Sequence, residues 1–271
     1  MSLSDEIRRY ASSARRLAAK VLTGTESKEP KIEFFTAMAG LDAVHPPRPA
    51  GHILPEWFTK LGAVIDGRKA YDVNDDSARR TVRACPGIAD LMGLGYIIPL
   101  WTDYALDLTA DGEEFTWQVP REEFTLKVHE REQFGTMPID EDRYLKFSVK
   151  FMSPWFVRTP PGYSCLLVPP AYHFEERFMV LPGIVDTDVY HGLNVNTVWR
   201  KFSGTVVVQA GTPLVQVIPF RREDLGLEIR SGEAADIRSI ETHHLRFNNH
   251  LGARLGHYRR ERKNAAAGRG D

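Results

Sequence analysis

The densest group of ionisable side chains in this sequence lies in "GIVDTDVYHG", residues 183–192. Asp186, Asp188, Tyr190 and His191 follow an apolar run that is typical of a buried strand. The two aspartates are two positions apart, so on an extended chain both carboxylates point to one face. Two such carboxylates can raise each other's pKa and serve in catalysis, or they can accept N–H groups in a turn. Asp186 is therefore the candidate catalytic residue, and the other three are candidate ligand-binding residues.

Further candidate ligand-binding residues lie in strand-like segments on either side of this group. In "SPWFVRTPPGY", Arg158 lies close to two aromatic residues and two prolines at a strand end. This combination could line the mouth of a site for a planar or anionic ligand, and an ordinary ion pair with a carboxylate is the alternative. The additional candidates are Trp155, Arg158, Tyr163, Gln216 and His129, the last of which forms a polar pair with Gln133.

Histidine and carboxylate residues also supply the side chains of a two-histidine, one-carboxylate iron site. The segment "HFE" at residues 173–175 is similar to the His-x-acid strand pair of cupin-type iron oxygenases. His173, Glu175 and His191 are the candidate metal ligands of this alternative. No second histidine is well placed near the end of the β-rich region, so we predict no metal site, and the sequence indicates no particular cofactor.

Composition narrows the class of protein. The chain has 271 residues, of which 42% are hydrophobic and 26% charged, as in ordinary soluble globular proteins. A net charge of -1 favours neither nucleic acid nor a membrane surface as a partner, and no apolar run reaches the roughly 20 residues that span a bilayer. The two cysteines, Cys85 and Cys165, lack metal-ligand spacing and favour a reducing compartment. We therefore predict a cytoplasmic protein.

Three parts of the chain must position these residues. Residues 1–94 predict an N-terminal helix, a proline-rich arm and a kinked helix. Residues 95–225 contain nine short β-branched or aromatic segments bounded by turn residues, which predict an antiparallel barrel or sandwich. Residues 226–271 predict a helix with an apolar stripe from Ile237 to Tyr258, followed by a basic tail. The predicted fold class is mainly β with flanking helices.

The central part of this β region resembles the dUTPase and dCTP deaminase superfamily. "GIVDTD" at residues 183–188 resembles the superfamily's acidic hairpin, and "AGTPLVQVIPF" at residues 210–220 resembles a later strand. The resemblance implies an antiparallel β-clip barrel. It also implies that Asp186 is the carboxylate that orients water and the sugar 3′-hydroxyl. Tyr190, displaced by one residue, would be the aromatic residue that excludes a 2′-hydroxyl.

The superfamily's serine- and arginine-containing phosphate loop has no counterpart here. At its place the chain reads "VPPAYHFEERF", residues 168–178, with two glutamates. A polyphosphate needs N–H groups and cations around it, and carboxylates would repel it. We therefore expect no dUTP hydrolysis at the rate of a dUTPase.

A longer stretch, residues 53–222, resembles a family of unknown function found in tailed phages and some bacteria. The resemblance rests on "IPLWTDY", "SPWFVRTPPGYSCLLVPP", "GIVDTD" and "GTPLVQVIPFRRE". It implies no activity and is consistent with the same β fold.

These observations predict a small-molecule-binding β-clip protein, with a nucleotide or related metabolite as the candidate ligand, and leave open whether a reaction follows. The alternatives are a phage-like structural or assembly protein that uses its arms and helices, and the cupin-like metal-dependent oxygenase. The resembled superfamily builds its sites between subunits, and the apolar stripe of the C-terminal helix needs a partner. We therefore predict a homo-oligomer, with a trimer favoured over a dimer.

Overall fold

A computed structural model shows how these segments fold. The residues that the structure describes are 30–62, 81–109, 115–120, 124–135 and 137–248. The predicted N-terminal helix and the basic C-terminal tail lie outside them.

Strands account for most of the regular structure. The strands are β1 (Glu33–Thr36), β2 (Arg48–Pro49), β3 (Tyr96–Pro99), β4 (Tyr104–Leu108), β5 (Phe115–Gln118), β6 (Leu126–His129), β7 (Tyr144–Arg158), β8 (Tyr163–Val168), β9 (Phe178–Val180), β10 (Gly183–Val185), β11 (Gly192–Arg200), β12 (Gly204–Val208) and β13 (Pro213–Arg221). The α-helices among the described residues are α1 (Glu56–Lys60), α2 (Pro86–Met92) and α3 (Ala234–Asn248). No helix among the described residues is long and apolar enough to cross a bilayer.

The strands pair in three antiparallel sheets. The first has the order β1-β7-β11-β9, with β6 also paired to β7; the second is β10-β8-β13-β3-β2; the third is β12-β4-β5. The predicted mainly β, antiparallel fold is confirmed, although the described strands form three sheets and not one closed barrel. Strands β1 and β2 precede the predicted β region in the sequence. In the strand order, β1 lies at one end of the first sheet and β2 at one end of the second.

The longest strand, β7, connects much of the first sheet. Its first half pairs with β6 and its last four residues pair with β1, while β11 runs along its other side. Pro154 cannot donate a ladder hydrogen bond, and it lies where the register between β7 and β11 shifts. A proline is therefore accommodated inside a 15-residue strand.

Side chains from all three sheets share one hydrophobic core. Trp199 of β11 is fully buried, and its ring centroid lies 4.9 Å from that of Phe178 and 6.3 Å from that of Phe151. Tyr104 of β4 packs edge-on against Phe151 at 5.2 Å. This aromatic cluster packs the first sheet against the third, since such large side chains fit together in few ways.

The described part of the predicted kinked helix forms two short helices. A 3₁₀ turn spans Val82–Ala84, Cys85 is extended, and Pro86 begins α2. Proline suits this first position because the N–H it lacks would have no partner inside the helix.

Candidate functional site

The acidic turn after β10 faces an arginine that directly follows β13. Strands β13 and β8 pair as far as Arg221, and the Arg222 N–H then donates to the Gly162 carbonyl at 2.9 Å. This brings the Arg222 guanidinium against both carboxylates. It forms two ion-paired hydrogen bonds with Asp188 and lies 3.2 Å from Asp186 Oδ1. The expectation that both aspartates face one direction agrees with this arrangement.

Arg222 also determines the electrostatics of the turn. The Asp188 side chain is only 8% exposed, and it accepts a further hydrogen bond from the Gly162 N–H at 2.8 Å. The hydrogen bonds from Arg222 and then from Gly162 lower the pKa of Asp188 to about 2. This direction is opposite to the one that two neighbouring carboxylates alone would produce.

Asp186 shares the same cation but remains more accessible. Its side chain is 59% exposed, and Oδ1 accepts a hydrogen bond from Ser164 Oγ at 2.6 Å. Arg222 Nη1 donates to Ser164 Oγ at 2.9 Å. The carboxylates, hydroxyl and guanidinium thus satisfy one another, so the cluster can hold the turn against β8 and the end of β13.

Asp188→Asn is expected to change how stability depends on pH. Arg222 lowers the folded-state pKa of Asp188 to about 2, against about 4 in an unfolded chain. The carboxylate therefore stabilises the fold above about pH 4, and this contribution is lost as the pH falls towards about 2. Urea midpoints across this window should fall more steeply for the wild type than for the variant. Parallel curves would contradict the role of Asp188.

The other two candidate residues of this turn, Tyr190 and His191, form hydrogen bonds with backbone carbonyls of the same turn. The His191 Nδ1–H donates to the Thr187 carbonyl at 3.0 Å, and its ring lies edge-on to Phe35 at 6.1 Å. Tyr190 is exposed, and its N–H donates to the Asp186 carbonyl at 2.8 Å. Tyr190 is thus the one accessible aromatic side chain of the turn.

Arg158 and Trp155 do not form a common ligand site. Arg158 pairs with Glu33 at 2.7 Å and lies over the Phe35 ring, 4.8 Å from its centroid. This is the ordinary ion pair that the sequence leaves open as an alternative. Trp155 is buried in the core, and its Nε1 has no hydrogen-bond partner among the residues that the structure describes.

Tyr163 and His129 lie in different sheets, at the start of β8 and the end of β6. Tyr163 lines a cavity of about 300 Å³ together with Lys31 and Tyr96. His129 Nδ1 lies 3.0 Å from Gln133 Oε1, so these two side chains do form the polar pair expected from the sequence.

A larger cavity, of about 620 Å³, lies beneath the loop of residues 169–176. Leu166 of β8 and Ile218 of β13 are paired in register, so their side chains share one sheet face, and both line the cavity. Phe174 and Met179 add apolar walls, and both are exposed towards solvent. Asp186 does not line this cavity or the smaller one.

Gln216 anchors the loop and is not free to bind a ligand. It is fully buried; its Oε1 accepts the Ala171 N–H at 2.9 Å, and its Nε2 donates to the Leu91 and Leu94 carbonyls at 2.9 and 2.6 Å. One side chain thus connects β13, the cavity loop and the end of α2. A buried amide is stable only with such partners, which explains the polar residue in an apolar strand.

The backbone of the loop is strained, and both α1 and the arm before it support the loop. Tyr172 and Phe174 have φ angles of 62° and 53°, a region that non-glycine residues seldom occupy. The Trp57 indole N–H donates to the Tyr172 carbonyl at 2.9 Å. His173 Nε2–H donates to the Ile53 carbonyl at 3.0 Å, and burial lowers the pKa of His173 against the opposing effect of this bond. Phe174, 68% exposed, is thereby held at the cavity.

Glu175 is neutralised within the same loop. Arg177 donates to both of its carboxylate oxygens at 2.7 Å. Partial burial alone would raise the pKa of Glu175, but the Arg177 bonds outweigh it and the pKa lies below its usual value. Among the described residues, no three His, Cys, Asp or Glu side chains are placed to hold a metal ion. His173, Glu175 and His191 each have a separate partner.

Sequence reasoning missed Arg222 and the cavity. The pair of arginines at the end of the last strand, in "PFRRE", is a usable signal for a cation near the acidic turn. Arg200 and Tyr144, which line the cavity, gave no signal because each looks like an ordinary strand-end residue.

No family model and no curated protein matches the chain. Among solved structures, a mutant dUTPase of Staphylococcus bacteriophage 80alpha is 14% identical with a TM-score of 0.24, over 41% of this chain and 99% of that one. A mutant dUTPase from phage phi11 of S. aureus is 15% identical with a TM-score of 0.24 and the same coverage. A further phi11 dUTPase structure is 17% identical with a TM-score of 0.23. At TM-scores this low, the likeness is no argument for a shared activity.

Proposed function

We propose that the protein binds a small molecule in the cavity beneath residues 169–176. The observation that carries this proposal is the cavity itself. Its volume of about 620 Å³ lies within the range of roughly 300–1,000 Å³ that is usual for small-molecule sites. Its floor is apolar, and few polar groups reach it, which is the usual composition of such sites.

The contacts of the acidic turn favour a structural role for Asp186 and Asp188 over a catalytic one. Asp188 and Asp186 already bind Arg222, and a lowered pKa leaves Asp188 a poor proton acceptor near neutral pH. The nucleotide expected from the sequence would also need several cations or free N–H groups around its phosphates. We therefore place the ligand in the cavity and propose binding without catalysis.

Leu166→Trp is expected to abolish or strongly weaken binding of N-phenyl-1-naphthylamine, an uncharged apolar dye. The larger side chain would fill the cavity floor, so the dissociation constant measured by fluorescence titration should rise by about tenfold or more, equal to about 1.4 kcal/mol. The matched control is Val44→Trp. Val44 is 51% exposed, lies before β2 and is outside the cavity lining. Equal affinities in both variants and the wild type would refute the proposal.

A second proposal, self-association, rests on an exposed apolar row after β13. Leu225, Leu227 and Ile229 are 89%, 87% and 85% exposed and alternate with Gly226 and Glu228 in a segment without helix or strand, so that an extended conformation would put the three on one side. Burying one such side chain contributes about 1.5–3 kcal/mol. An extended chain with one apolar side fits the edge of a sheet, and β10 offers an edge strand with the exposed Ile184 on the same chain. We propose that the partner is another copy of this chain and that three copies form the assembly.

Leu227→Asp is expected to lower the mass measured by light scattering towards that of one chain, 30.7 kDa. A charge in an apolar contact opposes association by a few kcal/mol, about a hundredfold in affinity. The matched control is Val44→Asp, at another exposed aliphatic residue, which should leave the mass unchanged. A wild-type protein with the mass of a single chain at micromolar concentration would exclude the proposal.

A further inference from the structure

We infer that the ligand of the larger cavity is an amphipathic acid, whose anionic head group binds Arg200 and Tyr144 and whose apolar body lies on Leu166 and Ile218. This inference rests on the proposed function, because it concerns the same cavity. It adds the chemical class of the ligand and its orientation.

Arg200 and Tyr144 are placed to act together on one head group. Arg200 is the last residue of β11 and Tyr144 the first of β7, and the two are paired in register. Paired residues of antiparallel strands have Cβ atoms about 5 Å apart, with side chains on the same face. Both residues line the cavity. The Arg200 and Tyr144 side chains therefore start next to each other on one face of the sheet, at one part of the cavity wall.

The charges around the cavity leave Arg200 available. Within the described residues, the Arg200 side chain forms no ion pair or hydrogen bond, whereas Arg177 is engaged by Glu175 and by the Val207 carbonyl. The Arg200 guanidinium is exposed and unpaired within the described residues, so it can bind an anionic ligand group with two parallel hydrogen bonds. A neutral ligand would take water away from the Arg200 guanidinium without supplying an opposite charge in its place.

Glu176 limits how much negative charge the ligand can carry. It also lines the cavity, and within the described residues its carboxylate has no cationic partner. In the described part of the lining, one unpaired cation and one unpaired anion suit a single head group and would oppose a polyphosphate. The apolar residues then require that the remainder of the ligand be hydrocarbon or aromatic.

Two dyes with the same skeleton test the ligand class. 1-Anilinonaphthalene-8-sulfonate carries a sulfonate, and N-phenyl-1-naphthylamine carries none. The wild type should bind the sulfonate more tightly, and only its affinity should fall with added salt. Arg200→Gln should weaken sulfonate binding by about tenfold, the loss expected for a hydrogen bond to a charged group, and change binding of the neutral dye by less than about twofold.

Further variants separate the charge effect from unfolding and from binding elsewhere. Glu176→Gln should strengthen sulfonate binding by about two- to fivefold, since a repelling charge is removed. Lys127→Gln removes an exposed cation from β6, outside the cavity, and should change neither dye. Leu166→Trp should weaken both dyes, which places them in the cavity and not on the exposed segment after β13.

The outcomes distinguish this inference from the proposed function. Suppose that Leu166→Trp prevents binding of the neutral dye but Arg200→Gln leaves sulfonate binding unchanged. The inference of an acidic ligand is then wrong, and the cavity remains a binding site. If Leu166→Trp affects neither dye, the proposed function itself fails.

Discussion

Gly95→Ala is expected to destabilise the protein by about 3 kcal/mol or more, the sum of a left-handed backbone cost and an overpacking cost. Gly95 has a φ angle of 69°, and an added Cβ would lie 2.2 Å from the Val217 carbonyl oxygen and 3.1 Å from Ile218 Cα. Both atoms belong to the backbone of β13, which pairs with β3 on one side and β8 on the other. The strand cannot move away without breaking these ladders. Urea unfolding would measure the loss.

Gly204→Ala provides the matched control. Gly204 has a φ angle of 78°, but an added Cβ would meet no atom within 4 Å. This variant should lose only the conformational contribution, about 1–2 kcal/mol. Equal losses in the two variants would contradict the importance of the close approach to β13.

Gln216→Leu is expected to lower the free energy of unfolding by about 3 kcal/mol and to weaken ligand binding. Leucine fills a similar volume but removes the partner of the Ala171 N–H and of the Leu94 carbonyl, while the Leu91 carbonyl keeps only its bond from the Leu94 N–H. Each buried group that loses its hydrogen bond costs about 1–3 kcal/mol. Because Ala171 lies in the cavity loop, the loop should also become less well fixed, and affinity for the neutral dye should fall.

The control for this variant is Gln209→Leu, at an exposed glutamine before β13. It should change stability by less than about 0.5 kcal/mol, as for most surface substitutions. A Gln216→Leu protein as stable as this control would show that the buried amide is not required by the fold.

The β fold could be predicted because its determinants are local. Short β-branched and aromatic segments, each ended by glycine, proline or aspartate, specify strands and turns wherever they occur. The common direction of Asp186 and Asp188 followed from the same two-residue period. Their partner could not be predicted in this way, because Arg222 lies 34 residues beyond Asp188 in the sequence. The pairing of β8 with β13 brings Arg222 to the turn.

The cavity depends on contacts that no local pattern contains. Tyr172 and Phe174 adopt left-handed backbone angles beside a contact with Trp57, 115 residues away from Tyr172. The sequence makes Gln216 a candidate ligand-binding residue. Its partners proved to be backbone groups of α2 and the loop, more than 40 residues away in each case. A buried amide signals that a partner exists without showing which one.

The most direct test of the central claim, that the cavity is the ligand site, is a crystal structure with N-phenyl-1-naphthylamine at saturating concentration. We expect electron density for the dye against Leu166 and Ile218, beneath the loop that carries Phe174. Density for the dye only along the segment from Leu225 to Ile229, or an empty cavity in a crystal with the dye bound elsewhere, would contradict the claim.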